Sequence, residues 1–191
     1  MKTKLQIKSI HGELLFEFEM EGNSIKKTVT EAVKQKADLT GADLTGANLR
    51  DAYLTGAYLT GAYLTGADLR GANLTGANLT GANLRDAYLT GADLRGANLR
   101  GAYLTGADGE SIKIKSAAIF TGLYKYVVIP FISADDIKYV KMGCFTRKLS
   151  DWECDFWNNN NEFPNDGSEM SNMRLFAFET AKRWLKLQVN S

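Results

Sequence analysis

The sequence predicts a mainly β solenoid of tandem five-residue units, flanked by a non-repetitive segment at each end. Three observations carry this expectation. From Ala37 the chain falls into register every five residues without a break, and 14 complete units run to Gly106. Alanine opens every unit and leucine holds every third place. The second place is only Asp, Asn or Tyr, the fourth only Thr or Arg, and the fifth is Gly except at Asp51 and Asp86.

A period of five fits neither regular element. On an α-helix, leucines five apart would rotate by about 140° per unit and smear around the surface. On a continuous strand they would alternate between faces, because five is odd. Recurrent glycine also opposes a helix, at about 1 kcal/mol each relative to alanine. The pattern is consistent if each unit is a short extended piece followed by a corner. Alanine and leucine, two apart, then point inward, and the residue between them points out. The fourth and fifth residues turn the chain, with glycine at the corner. The expected core is Leu39, Leu44, Leu49, Leu54, Leu59, Leu64, Leu69, Leu74, Leu79, Leu84, Leu89, Leu94, Leu99 and Leu104.

The motif A(D/N)LXX, as in Ala42-Asp43-Leu44 and Ala72-Asn73-Leu74, resembles the pentapeptide repeat family over residues 37–108. That resemblance implies a right-handed quadrilateral β-helix with four units per coil, hence about three and a half coils. At the interstrand spacing the rod would be roughly 17 Å long. Residues 20 apart would stack, with Leu54, Leu74 and Leu94 in one interior column and Thr40, Thr60 and Thr80 in an outer one. Arg50 would stack on Arg70, offset by Asp68 and Asp51.

A solenoid exposes unpaired backbone at its ends and calls for caps. Residues 1–36 predict the first, a β-hairpin plus a helix. Leu14, Phe16, Phe18 and Met20 alternate with glutamates, Leu5 and Ile7 begin a partner strand, and a turn falls near His11-Gly12. Ser24 then caps a helix with Ile25, Val29, Ala32 and Val33 on one face.

Residues 109–191 predict a C-terminal α+β unit. Tyr124 to Ile132 and Ile137 to Met142 read as a hairpin around Ser133–Asp136. Ser150 to Glu153 has capping-box spacing for a short helix. Asn158–Asn161 and Pro164–Gly167 mark a loop. Ser168 caps a last helix, with Met173, Phe176, Ala177, Ala181 and Trp184 sharing a face. A second resemblance lies here. Met142-Gly143-Cys144, the run Glu162 to Glu169, Ala177-Phe178-Glu179 and Ala181-Lys182 are similar to the tail of short pentapeptide arrays in phage and prophage proteins. It implies a phage or prophage origin and no particular activity.

Composition narrows the function classes. The formal net charge of +1 argues against direct nucleic-acid binding driven by phosphates. No apolar run approaches the roughly 18 residues of a membrane span. The first eight residues alternate and carry lysines, unlike a signal peptide, so a cytoplasmic protein is expected, of a bacterium or a phage-infected host. Cys144 and Cys154 are too few for a disulfide framework and read as idle thiols. His11 is the single histidine and reads as a turn residue. Asp151, Glu153, Asp155, Glu162 and Asp166 do not match a calcium loop. No catalytic, cofactor or metal site is therefore assigned, and an enzyme is not expected.

The expectation is a non-enzymatic scaffold or binding module. Its partner, an unnamed protein, would meet the C-terminal unit at Trp152, Phe156, Trp157, Phe163 and Pro164, aromatic anchors bordered by acids. The same aromatics could instead pack the last helix. Tyr53, Tyr58, Tyr63, Tyr88 and Tyr103 read as surface residues of the coil. Association with a second copy stays open. The alternative, raised by the family resemblance, is inhibition or protection of gyrase by imitating duplex DNA. Residues 37–108 hold seven aspartates and five arginines, a difference of −2. A duplex of the same length would carry roughly ten negative charges. Leucine in place of phenylalanine in the core also departs from many gyrase-directed relatives.

Overall fold

The structure is a computed structural model that describes residues 1–105, 109–120, 128–142, 145–155 and 169–188. Through the repeat, parallel bridges join residues twenty apart, from Asp38↔Tyr58 to Asn83↔Tyr103. One coil therefore takes four units. A unit such as 42–46 bonds to the next coil three times: Tyr63 N donates to Ala42 O (2.8 Å), Leu44 N to Tyr63 O (2.8 Å) and Gly46 N to Thr65 O (2.9 Å). Between successive units, Ala42 N closes a four-residue turn onto Leu39 O (3.0 Å). The third residue of that turn needs a positive φ, which Gly41 has at 68°. Asp51 and Asp86 hold the same conformation at 56° and 59°, which aspartate tolerates better than most residues.

All 14 repeat leucines are buried, none more than 5% exposed, and most of the alanines are buried with them. Strand β1 (Lys2–Lys8) pairs antiparallel with β2 (Leu14–Glu21), with Leu5 opposite Phe18. The end of β1 continues onto the edge of the first coil. Asp43 N donates to Lys8 O (2.8 Å), and Ile10 N donates to Gly41 O (3.2 Å). Helix α1 (Ile25–Lys34) starts where Ser24 Oγ accepts from Lys27 N (3.3 Å). Its Val29 and Ala32, with Ile7 of β1, join the leucine core.

The coil passes directly into an antiparallel sheet of order β3-β4-β5-β6-β7: Tyr103–Thr105, Ser111–Ala117, Val128–Ser133, Lys138–Met142 and Phe145–Lys148. Ile112, Ile114, Ile129 and Phe131 extend the leucine core into this sheet. Helices α2 (Leu149–Asp155) and α3 (Glu169–Leu187) cover a second apolar cluster that includes Val128, Val140, Trp152, Phe178 and Leu185.

Two helix expectations are corrected. Helix α2 begins at Leu149, so Ser150 lies inside it, and its Oγ donates to Asp151 Oδ1 (3.2 Å) rather than capping. Helix α3 buries Ser171, Arg174, Ala177, Phe178, Ala181 and Leu185, leaving Met173 and Phe176 exposed. At about 100° per residue, Phe176 and Met173 face away from Phe178 and Leu185. The proposed cap Ser168 and the loop residues Asn158–Asn161 and Pro164–Gly167 lie outside the described residues, as does Cys144.

Candidate functional surface

The second place of each unit points outward, yet its short polar side chains are occupied. All nine Asp and Asn residues there accept a hydrogen bond on Oδ1 from the backbone N–H two residues on. Asp38 takes Thr40 N at 2.9 Å, Asn73 takes Thr75 N at 3.0 Å and Asn98 takes Arg100 N at 3.0 Å. The others are Asp43, Asn48, Asp68, Asn78, Asn83 and Asp93. This is an Asx turn, and it explains why Asp and Asn dominate the place. The recurrence of Asp or Asn at nine of the 14 second places, two residues before a corner N–H, was the signal in the sequence that could have identified it.

Two of these acids are further engaged. Asp68 holds Arg70 by both oxygens, with Nε–Oδ1 at 2.8 Å and Nη2–Oδ2 at 2.5 Å. Asp93 holds Arg95 in the same fork, at 2.9 and 2.5 Å. The hydrogen bond from each arginine is the main reason that both carboxyls sit low, at about 2. Thr40 likewise lowers Asp38. The stacked Arg50 and Arg70 are separated in their pairing: Arg50 Nε lies 3.8 Å from Asp51, while Arg70 also lies over the Tyr88 ring at 5.7 Å. The repeat thus compensates much of its own charge.

The tyrosines divide. Tyr53, Tyr58 and Tyr88 are exposed, Tyr53 at 73%, whereas Tyr63 and Tyr103 are half-buried. His11 is an exposed turn residue whose N–H donates to Ser9 Oγ (3.3 Å). Among the described residues no group of three metal-ligating side chains occurs, and no helix is long and apolar enough to cross a membrane.

Trp152 must be corrected as a candidate interface residue. It is fully buried, and its Nε1 donates to Val140 O at 2.8 Å. The Phe178 ring lies 6.3 Å away, and the Arg147 guanidinium covers the indole at 5.3 Å. An indole with its polar atom satisfied internally belongs to the core. Phe156, Trp157, Phe163 and Pro164 lie outside the described residues. Two apolar side chains that the sequence placed on the packing face of α3 are exposed instead, Phe176 at 61% and Met173 at 42%. They were hidden by a helix that carries apolar residues on two sides.

Comparison with known proteins accounts for the repeat. The family described as pentapeptide repeats matches residues 35–71 and 72–108. A pentapeptide repeat protein of Nostoc, alr5209, is 36% identical over 42% of this chain and 76% of its own, with a TM-score of 0.23. The chain belongs to the pentapeptide repeat family. HetL, a pentapeptide repeat protein involved in heterocyst differentiation regulation in Nostoc, is 41% identical over 40% of this chain, with a TM-score of 0.25. Rfr23 of Cyanothece is 45% identical over 32% of it, with a TM-score of 0.23. The chain spans only 39% of the length of HetL and of Rfr23. Family membership rests on the repeat sequence, not on these superpositions. No curated protein sequence matches the chain.

Proposed function

We propose that this pentapeptide repeat protein is a non-enzymatic protein-binding scaffold whose partner site lies on the C-terminal unit, on the outward face of α3. One observation carries the reading. The inner face of α3 seats Phe178, Ala181 and Leu185 in a core of its own, while Phe176 and Met173 stand toward solvent on the opposite side. An aromatic and a methionine on a helix held rigid by its other face are what interface anchors require. The relative HetL, described as acting in regulation, is consistent with a binding role.

The finer architecture belongs to the same reading. The twenty-residue bridges support a right-handed quadrilateral coil of about three and a half turns between units at 1–36 and 109–191. A phage or prophage origin, and action in a bacterial cytoplasm, rest on the C-terminal resemblance and on composition. Imitation of DNA toward gyrase is disfavoured, because Asp68 and Asp93 are bound by arginines of the same unit.

The test is the pair Phe176→Glu and Met173→Glu, used as bait against lysate of the native host. Both changes should leave the melting curve of the protein nearly unchanged and abolish capture of the partner that the unmodified chain retains. Capture undiminished by both changes would refute this site.

A further inference from the structure

We propose that a trough at the C-terminal end of the coil, between Tyr63 and Tyr103, binds a small planar anion: an aromatic ring carrying a phosphate or carboxylate. Four residues follow one another up this face, joined by successive bridges: Tyr63, Asn83, Tyr103 and Lys113. The short Asn83 leaves the place between two tyrosines without a ring. Rungs are about 4.8 Å apart, so a ring lodged there would lie about 4.8 Å from each tyrosine, within the 4.5–7 Å at which aromatic pairs attract. The trough encloses about 280 Å³. Its floor is the backbone of Gly61 and Gly81, where a β-carbon would meet nothing within 4 Å. Both tyrosines are half-buried, so the walls are less free to move than the exposed Tyr53.

The electrostatics point to an anion. Units 67–71 and 92–96 place an aspartate two residues before an arginine, and the carboxylate neutralises it. Unit 82–86 keeps that arrangement but substitutes an amide. Asn83 Oδ1 accepts from Arg85 Nε (3.0 Å) and from Arg85 N (3.3 Å), which positions the guanidinium without cancelling its charge. Lys113, one bridge beyond Tyr103, brings its Nζ to 5.7 Å from the centre of the Tyr103 ring. Among the described residues neither Arg85 nor Lys113 forms an ion pair, and the carboxylate next to Arg85 in the chain is that of Asp86. Arg85, without an ion pair, thus lines a slot sized for one ring, and a charge-assisted hydrogen bond from it would hold a phosphate or carboxylate at the rim.

Calorimetric titration of the full chain at low salt, with adenosine monophosphate, adenosine and inorganic phosphate as probes, tests this. The nucleotide should bind about tenfold or more tightly than either component alone. Asn83→Asp supplies the missing carboxylate to Arg85. Aspartate already occupies the equivalent place at Asp68 and Asp93, so this variant should melt like the unmodified protein and yet lose that advantage. Tyr63→Ala should weaken the nucleotide and adenosine alike. Undetectable nucleotide binding at millimolar probe, or equal binding by the unmodified protein and Asn83→Asp, would overturn the proposal. So would a short single-stranded oligonucleotide that binds far more tightly than the nucleotide and is insensitive to Asn83→Asp.

Discussion

The carboxylate of Asp51 lies over the α-carbon of Gly71 in the next coil. A β-carbon at Gly71 would overlap Asp51 Oδ1 and stand 3.3 Å from Cγ, whereas one at Gly61 would meet nothing within 4 Å. Both glycines have positive φ, 67° and 62°, so alanine at either should cost about 1–2 kcal/mol of backbone strain. Gly71→Ala should cost more than Gly61→Ala by urea denaturation, because Asp51 must also move. The excess should vanish in an Asp51→Gly background. An unchanged excess there would show that the carboxylate is not its source.

The corner hydrogen bonds should be separable from charge. Asn78 Oδ1 accepts from both Thr80 N (3.1 Å) and Thr80 Oγ1 (2.7 Å). Asn78→Ala should destabilise the protein by about 1 kcal/mol, and Asn78→Asp, which preserves the acceptor, by much less. Equal midpoints in urea for both variants would contradict the Asx-turn assignment.

Acid should expose the Asp–Arg pairs. Asp68 and Asp93 sit at about 2 in the folded chain, below the value near 3.9 of an unfolded aspartate. Between these values the unfolded chain binds more protons, so folding loses stability as pH falls. The contribution is complete above about pH 4 and disappears as pH falls through about 2. It is modest, because solvent screens both pairs. The double variant Asp68→Asn with Asp93→Asn should therefore show a shallower fall in melting temperature across this window. An identical fall would assign the acid sensitivity to other groups.

The repeat was legible because every unit repeats one local solution. Ala and Leu two apart cannot both face inward on any element except a short extended piece, and the structure buries all 14 leucines. Ser24 announced α1, and the polar run at Ser133–Asp136 announced the β5–β6 hairpin, closed by Ser133 N to Ile137 O (2.9 Å). The face of α3 was legible only in part. Ala177, Ala181 and Trp184 pack as the periodicity indicated, but the buried stripe also takes the polar Ser171 and Arg174, and Met173 and Phe176 fall on the solvent side. Trp152 misled for a related reason: its acidic neighbours suggested a rim, and only the bond to Val140 O reveals that the indole is internal. The trough between Tyr63 and Tyr103 needed the coil pitch, since Tyr63, Asn83 and Tyr103 stand twenty apart in the chain.

The central functional claim is that the coil spends its acids on its own corners and arginines and does not present them as a substitute for DNA. Supercoiling of relaxed plasmid by gyrase, with and without the purified protein, tests it most directly. No inhibition is expected at micromolar protein, either from the unmodified chain or from the variant carrying Asn at Asp38, Asp43, Asp68 and Asp93. Potent inhibition by the unmodified chain that those four substitutions abolish would contradict it and restore DNA imitation as the function.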